Sequence, residues 1–215
     1  MTAERATPGF IARLRSRQAG RPQGLLGRAV GRLMVKDTAL GNDRNLELVG
    51  DVDGQTVLDH GFGQGRTVEI LAERGAKVLG SEVSETMLTQ AARRNRKAIA
   101  KGMVDLRLSD GITIPFDTNS ADAVATAHTI YFWQDPQATL TDMCRVLRPG
   151  GYLTLAFNCS DDGVPGWMDP AVYSMYTMFE VIKMLEVAGF VDVEAAGAPD
   201  APPAMRWVRA RNPVV

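Results

Sequence analysis

Cysteine is nearly absent from this chain of 215 residues: Cys144 and Cys159 are the only two. Two thiols cannot staple a fold of this size, and they sit in no paired metal-ligand spacing, so both are expected as reduced, structural groups. Histidine is as scarce, with His60 and His128 alone. No carboxylate or cysteine stands at ligand spacing from them, which argues against a metal site. No window reaches the roughly eighteen uninterrupted apolar residues of a membrane span. The first residues lack the compact apolar run and cleavage site of a secretory signal, and repeats and low-complexity tracts are missing. These absences lead to the expectation of a cytoplasmic, globular chain held by its core. A hydrophobic content of 45% over this length suffices for one substantial domain.

Acidic residues are missing from one segment. Arg5 to Lys36 carries eight of the 24 basic residues and no acid, leaving 16 basic against 25 acidic residues elsewhere. The net charge of −1 therefore conceals a balance of −9 outside that segment. Such an arm suits nucleic acid, an anionic membrane surface or an acidic substrate. Apolar residues run through it at helical spacing, first Phe10, Ile11 and Leu14, then Leu26, Val30, Leu33 and Met34. Two short helices packed on the body with arginines outward are expected. Gly24, Gly27 and Gly31 each weaken the second helix by about 1 kcal/mol relative to alanine, so it needs a partner. The chain divides on this reading into a basic helical arm or lid over 1–36 and a main domain over 37–215. The arm is a candidate for peripheral membrane contact. The negative body and the lack of an appended recognition module argue against nucleic acid.

Strands and helices alternate after Lys36. "QTVLDH" reads as a buried strand, Gly65–Arg74 as a helix, "AKVLGSE" as a strand, and Ser84–Lys101 as a helix with a serine cap. "VDLRLSD" and "DAVATAH" read as strands. Asp135 caps a helix whose first turn holds Pro136 and which "RPGG" stops. "YLTLAF" is a further strand. Thr177 and Glu180 form a capping box for a helix through Leu185 to Gly189, and "VDVEAAG" and "AMRWVRAR" form a closing antiparallel pair. The alternation implies an α/β class: a doubly wound, mostly parallel sheet covered on both faces.

In such a sheet, ligands bind at the carboxyl ends of the strands. There "TVLDHGFGQGRT" places three glycines within five residues, where bare backbone turns sharply and lets a ligand lie against main-chain amides. The dinucleotide pattern G-x-G-x-x-G fails, because Gly61 and Gly63 are followed by Arg66 at the third glycine's place. The pattern present is D-x-G-x-G-x-G, from Asp59 through Gly61 and Gly63 to Gly65. It resembles the first motif of the class I S-adenosylmethionine-dependent methyltransferases. "VLGSEVSETMLTQAARR" is similar to the family's second strand and helix, "LSDGITIPFDTNSADAV" to its adenine-binding segment, "MCRVLRPGGYLTLAF" to its helix, turn and fifth strand, and "MLEVAGFVDVE" to its last helix and strand. The resemblance runs in order from about Leu46 to Glu194.

The resemblance implies a seven-stranded Rossmann-like fold, S-adenosyl-L-methionine as cofactor, and methylation of a small-molecule acceptor at O, N or C. Asp59 would face the methionyl amine, with Gly61, Gly63 and Gly65 forming the loop. Glu82 would take the ribose hydroxyls, although the family more often has aspartate there. Asp110 would accept from the adenine amine, and Gly111 would offer its N–H. A base is needed only where the acceptor must lose a proton, and histidine suits that task. His128, at the end of the fourth strand beside Tyr131 and Trp133, is the candidate, ahead of His60. Trp167, Met168, Tyr173, Met175 and Tyr176 are read either as an acceptor wall or as packing of a short helix. Two rivals stand: a non-catalytic S-adenosylmethionine-binding interaction protein and a nicotinamide-dependent oxidoreductase.

Overall fold

The computed structural model describes residues 41–161, 163–164, 168–196 and 204–214. The expected arm over 1–36 and Trp167 lie outside the described residues.

Residues 41–49 are helical (α1). There follow β1 (Thr56–His60), α2 (Arg66–Glu73), β2 (Lys77–Glu82), α3 (Glu85–Arg94), α4 (Arg96–Ala100) and β3 (Val104–Leu108). The second half comprises β4 (Ala121–Ala127), a 3₁₀ turn (Ile130–Phe132), α5 (Pro136–Val146), β5 (Leu147–Asn158), α6 (Met178–Val187), β6 (Val191–Ala196) and β7 (Met205–Arg211). The strands form one seven-stranded sheet in the order β3-β2-β1-β4-β5-β7-β6. The first five are parallel, and β7 runs antiparallel between β5 and β6. The strand order reverses between β1 and β4, which opens a crevice at their carboxyl ends.

Alternation along the strands feeds two cores. Val57, Val78, Ala123 and Ala125 pack under Leu46 and Val49 of α1, Val68 and Leu71 of α2 and Ala91 of α3. Leu58, Val124, Leu153 and Leu155 pack with Leu140 and Met143 of α5 and Val181 and Leu185 of α6. Both faces are thus covered, as a parallel sheet requires.

The caps hold the helix starts as expected. Ser84 Oγ accepts from Met87 N at 3.3 Å, Asp135 Oδ1 accepts from Ala138 N at 2.9 Å, and Thr177 and Glu180 form the reciprocal capping box. The helix expected over Ser84–Lys101 is broken at Asn95, whose backbone leaves helical geometry at φ −94° and ψ 13°. Its side-chain Nδ2 donates to Gly65 O at 3.1 Å and Ala91 O at 2.9 Å, so a long-range bond to the glycine loop competes with helix continuation. The helix expected from Gly65 begins at Arg66, because Gly65 is its left-handed N-cap.

Candidate functional site

The crevice holds a cavity of about 210 Å³ over the ends of β1, β2 and β4. Its floor is the glycine loop. Gly61 has φ 77°, and a Cβ there would lie 2.3 Å from Thr129 Cγ2, so a side chain at this place would collide with the segment after β4. Gly63 has φ 52° and would meet nothing within 4 Å. One glycine permits close packing, and the other keeps space open beside the cavity.

Glu82, at the end of β2, is buried. Its Oε2 accepts from Gly63 N at 3.0 Å, and its Oε1 accepts from Val83 N at 2.8 Å and Ser84 N at 3.0 Å. Three of roughly four lone-pair sites are occupied, which leaves one on Oε2 for a ligand in place of the two bonds expected from sequence. Burial raises its pKa, and the three N–H groups oppose that rise. Asp59, on the same sheet face, has its pKa pushed up to about 8 by burial and then by the nearby Glu82 carboxyl. Two acids share one poorly solvated place and do not both ionise easily.

The two histidines end neighbouring strands, since β1 pairs with β4. His60 Nδ1 lies 2.9 Å from Ser81 Oγ, and its ring meets Trp133 edge-on at 5.7 Å. Burial pushes its pKa down to about 4. His128 lies one residue beyond β4 at φ 59°, which turns it out of the strand direction. Its Nδ1 is 3.5 Å from the Tyr131 hydroxyl, which accepts the backbone N–H of Asn158. Burial lowers the His128 pKa to about 4 as well, leaving a neutral imidazole at physiological pH.

Gly111 and Ser109 line the cavity, and Asp110 does not. The Asp110 side chain is exposed, and its Oδ1 caps its own turn by accepting from Ile112 N at 2.8 Å and Thr113 N at 2.7 Å. Those bonds hold its pKa below the usual carboxylate value. The turn is fastened from behind by α5, where Asp142 accepts from Ile114 N at 2.6 Å and Arg145 donates to Phe116 O at 2.9 Å. Met168 and Tyr173 join the α5–α6 core, with Tyr173 against the rings of Tyr131 and Phe132. Met175 and Tyr176 pack on the same core, so packing is observed, but residues 168–176 form no helix, and the aromatic residues that line the cavity are Phe132 and Trp133.

Ten buried side-chain nitrogen or oxygen atoms among the described residues have no hydrogen-bond partner. Six of them belong to residues that line this one cavity: Asn45, Asp59, Gln64, Ser109, His128 and Trp133. Buried polar atoms are normally paired, so their concentration marks a place built for a polar ligand with both donors and acceptors. Sequence reasoning missed Asn42, Asn45 and Arg66 in this lining. Their signal was slight: Asn42 and Asn45 belong to no motif, and α1 reaches the cavity only through the fold.

Residues 58–155, from β1 into β5, match the family described as "Methyltransferase domain". Over that span the chain is similar to methyltransferase domains. An O-methyltransferase, resE, of Aspergillus sclerotiorum is 29% identical over 132 residues, which is 61% of this chain and 49% of that protein. A demethylmenaquinone methyltransferase of Corynebacterium urealyticum is 34% identical over 125 residues, 58% of this chain and 50% of that protein. The chain thus spans about half the length of these curated relatives. Among solved structures, a SAM-dependent methyltransferase from Aquifex aeolicus superposes with a TM-score of 0.68 at 24% identity, over 85% of this chain and 97% of that one. The geranyl diphosphate C-methyltransferase of Streptomyces coelicolor, solved with geranyl diphosphate and S-adenosyl-L-homocysteine, gives 0.67 at 16% identity over 82% and 77%. The methyltransferase fold expected from the glycine motif is the fold found. No helix among the described residues is long and apolar enough to cross a membrane.

Proposed function

We propose that this methyltransferase domain transfers a methyl group from S-adenosyl-L-methionine to a small-molecule acceptor that enters beside His128. The observation that carries the reading is the gathering of six partnerless polar atoms around a glycine loop at the strand-order reversal. The cofactor, when bound, supplies a methyl group already activated on a sulfonium. The protein's tasks are then orientation, exclusion of water and, for a hydroxyl acceptor, removal of a proton.

Asp59 takes the ligand's ammonium on its free Oδ2, and Glu82 takes a ribose hydroxyl on the open position of Oε2. Gly111 and Ser109 receive the base, with Asp110 serving by holding their turn in shape. Gly61, Gly63 and Gly65 keep the loop free of side chains. The name of one curated relative, a demethylmenaquinone methyltransferase, supports an apolar ring acceptor. Phe132 and Trp133 line the cavity and offer rings on which such an acceptor would stack.

His128 accepts the acceptor's proton on Nε2, which is buried and partnerless. Its low basicity keeps it unprotonated at neutral pH but makes it a weak base, so its effect belongs at the lower end of the usual range. The test is a screen of phenols and quinols for S-adenosylhomocysteine production, followed by His128→Asn on any hit. The rate should fall by about 10²-fold with cofactor affinity little changed. A fall below about tenfold leaves positioning alone to drive transfer. Binding with no acceptor methylated favours a non-catalytic binding protein.

A further inference from the structure

Asn45 lies on the stripe of α1 that faces the sheet. Asn42, Asn45 and Val49 follow at helical spacing, and Leu46 and Val49 are buried in the cluster that holds Val57, Ala123 and Ala125. Strand alternation puts Asp59 on the face of Val57, so Asp59 and Asn45 stand on the same side of the sheet near its carboxyl edge. The register brings them closer. Asp59 pairs with Ala125 across β1 and β4, and Asn45 Nδ2 donates to the carbonyl of the next residue, Thr126, at 3.2 Å.

That bond settles which end of the amide faces the strand. The other end, Oδ1, is left buried with no partner in a residue only 4% exposed, as is Oδ2 of Asp59, itself 5% exposed. Both residues line the cavity. Partnerless buried acceptors are uncommon because they forfeit water without replacement. A hydroxyl ligand would satisfy one of the two and leave the other bare. A primary ammonium brings three N–H donors and a positive charge, and satisfies both.

We propose that Asn45 is a second acceptor for the ammonium of the bound ligand, acting beside Asp59. Helix α1 then selects for a nucleoside that carries an amino acid over one that lacks it. The proposal rests on the S-adenosylmethionine reading above and goes beyond it by assigning the role to a residue outside the glycine loop and the strand ends.

The experiment is calorimetric binding of two probes, S-adenosylhomocysteine and its deaminated analogue in which hydrogen replaces the amino group, to the wild type and Asn45→Ala. The variant should lose roughly ten- to hundredfold in affinity for the parent, the size of a hydrogen bond to a charged group. For the analogue the loss should be less than about twofold, since no ammonium is present to use the bond. The ratio of the two affinities is internal to each protein, so a general loosening of α1 cancels. Asn45→Leu, of similar volume, should behave alike and replaces the alanine variant if that melts early. In the wild type, the side-chain carbonyl carbon resonance of Asn45 should move on addition of the parent and stay in place with the analogue, a result that needs no variant. An unchanged ratio, or a resonance indifferent to the amino group, overturns the proposal while leaving cofactor binding intact. Failure of the wild type to bind either probe overturns the cofactor reading and this proposal with it.

Discussion

Glu82 Oε2 accepts the backbone N–H of Gly63 at 3.0 Å, so the acid that ends β2 also holds the glycine loop that follows β1. Two strands of the parallel sheet are thereby tied at their ligand edge by one carboxylate. Glu82→Ala should weaken S-adenosylhomocysteine binding by about 1.5–3 kcal/mol, the worth of a hydrogen bond to a charged group plus a loosened loop. Amide hydrogen exchange at Gly63, Val83 and Ser84 should quicken even without ligand. Exchange that stays at the wild-type rate would remove the loop-holding role.

Asp59 should trade stability against binding. Its carboxyl titrates at about 8 in the fold because it is buried beside Glu82. The folded chain therefore holds a proton that the unfolded chain has lost above the ordinary value of 3.8, and this costs stability as pH rises between the two. Asp59→Asn removes that cost and should stabilise the ligand-free protein at pH 8 by on the order of 2–3 kcal/mol in urea unfolding. The same variant should bind S-adenosylhomocysteine at least tenfold more weakly, since the ammonium loses its counter-charge. A destabilised Asp59→Asn would show that the acid is already satisfied in the free protein.

Fold and site were legible where local chemistry decides. Ser84, Asp135 and the pair Thr177 and Glu180 cap helices through contacts three residues away, which a sequence displays directly. The glycine spacing likewise announced the loop, and the order of strands and helices announced the sheet. Asn95 was hidden, because the partner that breaks its helix is the carbonyl of Gly65, 30 residues earlier. Tyr173 looked equally suited to a cavity wall and to a core until its ring was seen against Tyr131 and Phe132. Asp110 was expected to face the base, but its side chain caps its own turn, because the direction of a side chain in a turn depends on which N–H groups it accepts from. Asn45 carried no motif at all. Its position follows from α1 crossing the end of β4, a relationship between segments 81 residues apart.

The histidines give the pH dependence of stability its acid limb. His60 and His128 titrate at about 4 in the fold against 6.5 unfolded, so the unfolded chain binds protons that the folded one refuses between those values. Stability from these two groups is present above pH 6.5 and is lost as pH falls toward 4, by up to about 3 kcal/mol for His60 and less for the partly exposed His128. Asp59 acts in the opposite sense, but with one proton against two. The stability maximum should fall near pH 6.5–7, with losses at pH 5 and pH 8.5 measurable by urea unfolding. A profile that rises steadily from pH 6.5 to 8.5 would contradict the buried state of Asp59.

One nucleoside with an amino-acid tail is expected to fill the cavity formed by Asp59, the glycine loop, Glu82 and Gly111. Titration calorimetry of the wild-type chain with S-adenosylhomocysteine, and separately with nicotinamide adenine dinucleotide, decides it. S-adenosylhomocysteine should bind one-to-one with a dissociation constant on the order of micromolar, and the dinucleotide at least about a hundredfold more weakly, because Arg66 stands where a third glycine would admit the pyrophosphate. Equal or tighter binding of the dinucleotide would contradict it.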